Sequence, residues 1–118
     1  MQFHYEKLEV TSLARNFIKK IYFITLRFPK EEMYGLTNQI RRAAISIALN
    51  IAEGSIRKSK KEFHQFIRIA IGSLTEVDCA LKLSIDLGFL DEKEYKELEP
   101  QLRELYFKLI GLSKYLSQ

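Results

Sequence analysis

Residues 37–56 read TNQIRRAAISIALNIAEGSI, and this stretch decides the fold. Ile40, Ala43, Ala44, Ile45, Ile47, Ala48, Leu49, Ile51 and Ala52 leave only a narrow strip without apolar character, the pattern of a helix buried on most sides. Such a helix needs apolar neighbours, so the rest of the chain must supply them.

The flanking segments have the right periodicity. Val10, Ala14, Phe17, Ile21, Ile24 and Phe28 are spaced to line one side of a helix, which Pro29 should end by pushing its predecessor out of helical dihedrals. After the central helix, Ser59 to Glu62 reads SKKE, a capping box opening a third helix along Phe63, Ile67, Ala70, Leu74, Val77 and Leu81. Gly88 suits a left-handed helix end. Asp91 to Glu94, DEKE, offers a second capping box before a seam of Leu98, Leu102, Leu105, Leu109, Leu112 and Leu116. Pro100 falls inside that run, so a kink or a restart is expected there. These spacings predict an all-α, antiparallel up-down four-helix bundle with helices at about 8–28, 37–56, 60–87 and 92–116. No stretch alternates with the period of a strand, and there is no repeat or low-complexity tract.

The chain has 118 residues, 47% hydrophobic and 29% charged, enough for one folded domain, expected to span 1–118. A single cysteine, Cys79, excludes an intramolecular disulfide and reads as a core or boundary residue. The opening MQFHYEKLEV lacks the apolar run of a signal peptide, and no segment approaches a membrane span, so a soluble cytoplasmic protein without membrane contact is expected.

Polar residues on the central helices suggest a buried network. Gln39, Arg42, Ser46, Asn50, Glu53 and Arg57 form the strip of the second helix, and Gly72, Ser73, Glu76 and Ala80 form a row of the third. Carboxylates on faces this apolar are costly unless paired, which predicts a network joining Asn50, Glu53, Ser73 and Glu76 to Arg42 or Arg68. The outward rows of the first and fourth helices each carry one aromatic, Phe23 and Phe107. These two either form a subunit interface or lie at the edge of the core.

Net charge is +4, unevenly spread: residues 27–68 hold nine Lys or Arg against four Asp or Glu, and residues 69–118 hold six against nine. The densest cluster, Arg57, Lys58, Lys60 and Lys61, lies in the turn before the third helix, with Arg41 and Arg42 toward the other end of the second. These six residues are the candidate nucleic-acid contacts. IRKSKKEF has no aromatic interleaving, so contact there would be to backbone phosphate, as on a duplex or structured RNA.

No phosphate loop, nucleophile elbow, dinucleotide fingerprint or Glu-x-x-His pairing is present, so no catalytic residue, metal, cofactor or small-molecule substrate is expected. Arg57 and His64 match the loose Arg and His spacing of HEPN-type RNases, where imidazole is acid or base and guanidinium stabilises phosphate charge. Here the pair straddles a helix start.

The stretch from Phe28 to Glu76, above all YGLTNQIRRAAISI, NIAEG, EFHQFIRIA and GSLTE, resembles the four-helix bundle family of 23S rRNA intervening sequence proteins. Ala48, where members often have Pro, and Pro100 depart from the pattern. The resemblance implies an up-down bundle that assembles as a homopentamer, of a family whose genes are often found inside 23S rRNA gene insertions, and that is similar to the pentameric accessory proteins of diversity-generating retroelements. It implies no catalytic residue. Asn50, Glu53, Gly54, Ser73 and Glu76 match the motif, which implies that they hold helices together or line a subunit contact. The expectation is a non-enzymatic, bacterial, ribosome-associated homo-oligomer that binds structured RNA or a ribonucleoprotein through basic turns. The alternative is a protein-interaction scaffold without nucleic-acid contact.

Overall fold

The computed structural model describes residues 1–118 as four α-helices: α1 (Glu9–Thr25), α2 (Leu36–Ser55), α3 (Lys60–Asp86) and α4 (Glu92–Leu116). Single 3-10 turns lie at His4–Lys7 and Lys30–Glu32. The body measures 44 × 25 × 22 Å, its long axis set by α3 and α4, which at 1.5 Å per residue run about 40 Å.

Cross-helix pairs fix the directions. Arg27, just past α1, bonds to Glu94 at the start of α4, and Glu9 at the start of α1 lies 3.2 Å from Lys108 toward the end of α4. Arg41 of α2 donates to Thr25 of α1, Ser73 of α3 donates to Ser46 of α2, and Tyr95 of α4 donates to Asp78 of α3. Each pairing joins the late part of one helix to the early part of the next or matches their middles, as antiparallel neighbours require. The α2–α3 turn thus shares one end of the bundle with the start of α1 and the end of α4.

The core is one cluster of 22 buried apolar residues fed by all four helices. Val10, Ala14, Phe17, Ile21, Ile24 and Phe28 are all in it, as are Ile67, Ala70, Leu74, Val77 and Leu81. On α4, Leu98, Leu105, Leu109 and Leu116 are buried, while Leu102 and Leu112 pack partly covered against them. Each buried Leu, Ile or Phe removes enough apolar surface from water to contribute about 2 kcal/mol.

Gly54 shows why α2 and α3 approach so closely near their shared turn. A Cβ there would sit 2.7 Å from Phe66 Cβ and 2.8 Å from the Phe63 ring, so only a glycine admits both aromatics. At the other end Gly88 adopts φ +81°, and the amides of Phe89 and Leu90 turn back onto the Ser84 carbonyl to close α3.

Three expectations are corrected. Helix α1 stops at Thr25, three residues short of Phe28, because the chain tightens into i to i+3 bonds from Leu26 to Phe23 and from Phe28 to Thr25. That turn swings Phe28 into the core, its ring 6.1 Å from Phe89. Helix α4 runs through Pro100 without a restart; the proline is exposed, so the carbonyl it leaves without a donor can be met by water. And α2 is covered on fewer sides than its composition suggests: Leu49 is 63% exposed, and Ile45 and Ile56 share its outer side.

Of the capping boxes, SKKE forms by half: Ser59 Oγ accepts from the Glu62 amide at 3.2 Å, while the Glu62 carboxylate accepts from the Ser59 hydroxyl at 3.3 Å and not from the Ser59 amide. In DEKE only Asp91 caps, accepting from Lys93, because Glu94 is drawn across to Arg27.

Candidate functional site

The basic turn at the α2–α3 end is less open than its sequence suggests. The Arg57 guanidinium lies 4.9 Å over the Phe66 ring and pairs with Glu53, while its Nε is buried without a hydrogen-bond partner. Lys60 Nζ sits 4.3 Å over the Tyr115 ring. Lys58 and Lys61 are exposed and take no part in any ion pair or ring contact, so they are the two members of the cluster free to meet a phosphate. Lys60, Lys61 and His64 line a shallow cleft with Leu116 and the last two residues.

The other two candidate cations stand at the far end of α2. The sixteen positions from Arg41 to Arg57 correspond to about 24 Å along the helix, so the six candidates do not form one patch. Arg41 is committed: its Nε donates to Thr25 Oγ1 at 2.9 Å and its guanidinium covers the Tyr22 ring at 4.5 Å. Arg42 is exposed.

The expected polar network forms only in its middle. Asn50 Nδ2 donates to the Ser46 carbonyl at 2.8 Å and to Ser46 Oγ at 2.9 Å, and Ser73 donates to the same hydroxyl at 3.0 Å. Ser46, on the polar strip but outside the predicted network, is therefore its hub. The charged members stay out, and this is a correction: Glu53 turns along its own helix to Arg57, and Glu76, Arg42 and Arg68 are exposed without a partner on this chain. The physical reason is position, since these side chains point outward from α2 and α3 and remain solvated rather than paying desolvation.

Arg57 and His64 do not converge. His64 Nε2 shares a 2.9 Å hydrogen bond with Ser113 of α4, whereas Arg57 faces Phe66 and Glu53. No group of three or more His, Cys, Asp or Glu side chains comes together to hold a metal ion. Cys79 is a free, exposed thiol instead of a core residue, because the outward side of α3 carries it.

Phe23 and Phe107 are exposed, at 62% and 59%, so neither is a core edge. They lie on adjacent antiparallel helices but at levels about eleven residues apart, roughly 16 Å, and do not form a continuous apolar patch. A cation accompanies each ring, Lys20 at 6.0 Å and Arg103 at 5.8 Å.

Sequence reasoning missed a cluster of three side chains that, beside the His64–Ser113 bond, ties α3 to α4. Tyr95 donates to Asp78 at 2.5 Å and Lys82 Nζ lies 2.9 Å from the same carboxylate. Burial, and then the bond to Asp78, pushes the Tyr95 hydroxyl up to about 12. The hydrogen bond and charge of Asp78 also raise Lys82. The i, i+4 spacing of Asp78 and Lys82 was visible; the third member, from another helix, was not.

With four antiparallel helices that meet on one shared core, the chain is a small up-down helical bundle. The chain belongs to the 23S rRNA-intervening sequence protein family, whose model matches residues 6–111. Its fold is shared with a solved structure, a protein of unknown function from the S23 ribosomal protein family of Bacteroides thetaiotaomicron. The two are 23% identical, with a TM-score of 0.78 over 89% of this chain and 98% of the other. No curated protein matches the sequence. None of the helices is long and apolar enough to cross a membrane.

Proposed function

We propose that the protein is a non-catalytic, homo-oligomeric RNA-binding bundle that grips the backbone of structured RNA, alone or within a ribonucleoprotein, through the α2–α3 end. The observation that carries this reading is the pair of unengaged lysines, Lys58 and Lys61, on a basic turn of a chain whose family is tied by name to 23S rRNA. Point cations without free aromatic rings suit phosphate contact and give affinity that depends on salt rather than on base sequence.

The uncovered side of α2 and α3 supports self-association. Leu49, Ile56, Ile69 and Leu83 are exposed there beside Gly72, among charges of both signs, the composition of a face that a second copy can cover. This side is a better candidate for the subunit contact than Phe23 and Phe107, which are isolated from each other. A ring, the pentamer that the family resemblance implies, would repeat each basic turn and raise affinity through simultaneous contacts.

The test is binding to a 23S rRNA insertion stem and to an unrelated duplex across a salt series, with light scattering for the oligomeric state. Lys58→Ala with Lys61→Ala should weaken both and flatten the salt dependence. Wild-type protein that binds neither would leave the α2–α3 face as a docking surface for protein partners.

A further inference from the structure

We infer that the outward crest of α1 is a second nucleic-acid surface, shaped for an unpaired strand where the basic turn suits a duplex. The inference rests on the RNA reading above for its partner and goes beyond it in surface, residues and ligand form.

From Val10 to Lys30 the chain contains five cations and no Asp or Glu. Arg15, Lys19 and Lys20 are exposed and none of them is in an ion pair. Arg15 and Lys19 stand one turn apart with the same sign, a repulsion that a face needed only for solubility avoids by mixing charges. Of the acids near this helix, Glu9 lies against Lys108 and Glu94 against Arg27, Glu6 lines a cleft with Arg15 and Lys19 while its carboxylate accepts from the Phe3 amide, and Glu97 lies beside the cleft that Lys20 and Phe23 line. The crest itself is therefore a strip of net positive charge, its three cations outside any ion pair and flanked by two acids, Glu6 and Glu97.

Phe23 gives the strip its preference. Its ring is 62% exposed, and its one cation, Lys20, is 6.0 Å from the centroid, at the limit of a ring contact. At the basic turn, by contrast, both nearby rings are occupied by the turn's own side chains, Phe66 by Arg57 and Tyr115 by Lys60. An open aromatic face within one turn of unpaired cations is the combination that stacks a base while holding its phosphates, and a base is available for stacking only where it is unpaired. An acidic protein would use the cations but not the ring face.

The experiment measures anisotropy of labelled oligouridylate, its deoxythymidylate counterpart and a blunt RNA duplex with the full-length chain. The variants are Phe23→Ala, Phe23→Leu, the triple change Arg15→Ala, Lys19→Ala, Lys20→Ala, and the double change Lys58→Ala, Lys61→Ala. All these positions are exposed, and unchanged melting confirms folding. Both Phe23 variants should weaken oligouridylate about tenfold while sparing the duplex. The triple variant should lower the salt slope for the single strand by about two. The lysine double variant should do the reverse, losing duplex first. Parallel loss of the deoxy strand assigns the crest to unpaired strands of either sugar, and loss of oligouridylate alone assigns it to RNA; each supports the inference. Duplex binding without single-strand binding, or single-strand binding untouched by the α1 changes, overturns the crest and leaves the proposed function standing. Absence of binding to any nucleic acid overturns both. Displacement of oligouridylate by polyglutamate, with Phe23→Ala behaving as wild type, would mark a surface for acidic proteins and overturn the inference.

Discussion

The α2–α3 seam and the α1–α4 seam join antiparallel helices in the same bundle by opposite means. Along α2–α3 the approach is close, made possible by Gly54 under Phe63 and Phe66 and fastened by Ser46, Asn50 and Ser73. Along α1–α4 the helices meet less intimately, with an ion pair near each end, Glu9 with Lys108 and Arg27 with Glu94. The difference teaches where this fold can tolerate charge. A seam closed by small residues fixes spacing and register through shape, whereas one tied at its exposed ends leaves both outer surfaces free to carry cations.

The sharpest way to break that contrast is Gly54→Ala. The added methyl has to displace Phe66 or Phe63, an overpacking cost of up to about 3 kcal/mol that the better helix propensity of alanine offsets by roughly 1. A net loss of about 2 kcal/mol, or about 10 °C in Tm, is expected by thermal melting. A melt unchanged from wild type would mean that the seam is loose after all.

Ser73→Ala comes next. It removes the one hydrogen bond between the α2 and α3 side chains while leaving Ser46 its bonds from Asn50, and should cost about 1 kcal/mol in urea unfolding. Glu76→Gln is its control: the exposed carboxylate has no partner on this chain, so the monomer should change by less than about 0.5 kcal/mol.

Glu9→Gln probes the other seam. Its ion pair is solvent-exposed, so the loss should stay below about 0.5 kcal/mol and vanish in concentrated salt, measured by denaturant titration with and without sodium chloride. A loss as large as that of Ser73→Ala would erase the distinction between the two seams.

The last effect is absent at neutral pH and confined to alkaline solution. Tyr95 keeps its proton to about 12 in the folded chain, against an ordinary value of 10.0. Between those values the unfolded chain releases the proton first, so stability falls as pH rises through the window. Lys82, raised by Asp78, contributes in the same direction, because the favoured charged form is lost as pH rises. Melting as a function of pH should show this decline, and Tyr95→Phe should shallow it.

The candidate site was legible in parts that depend on local pattern. Asn50 and Ser73 were found because polar residues interrupted an apolar face, and Gly54 through its place in the NIAEG stretch that carries the family resemblance. The charged members were misassigned because period alone places a side chain within a quarter turn, and that margin separates a buried carboxylate from one that reaches water. The basic turn shows the same limit. Arg57, Lys58, Lys60 and Lys61 read as equals in sequence, yet two of them spend their charge on rings, one of which, Tyr115 under Lys60, comes from the last helix of the chain.

The apolar spacings, the capping serine at Ser59 and the turn at Gly88 determine by themselves that four helices form and in what order they reverse. They are consequences of one residue's relation to its neighbours within a turn or two, which the chain carries before it folds. Which cations remain free, that Ser46 gathers two donors, that Tyr95 meets Asp78, and that one side of α2 goes uncovered were decided only in three dimensions. Each depends on what a distant helix brings to within a few ångströms, and that distance has no counterpart in the spacing of letters.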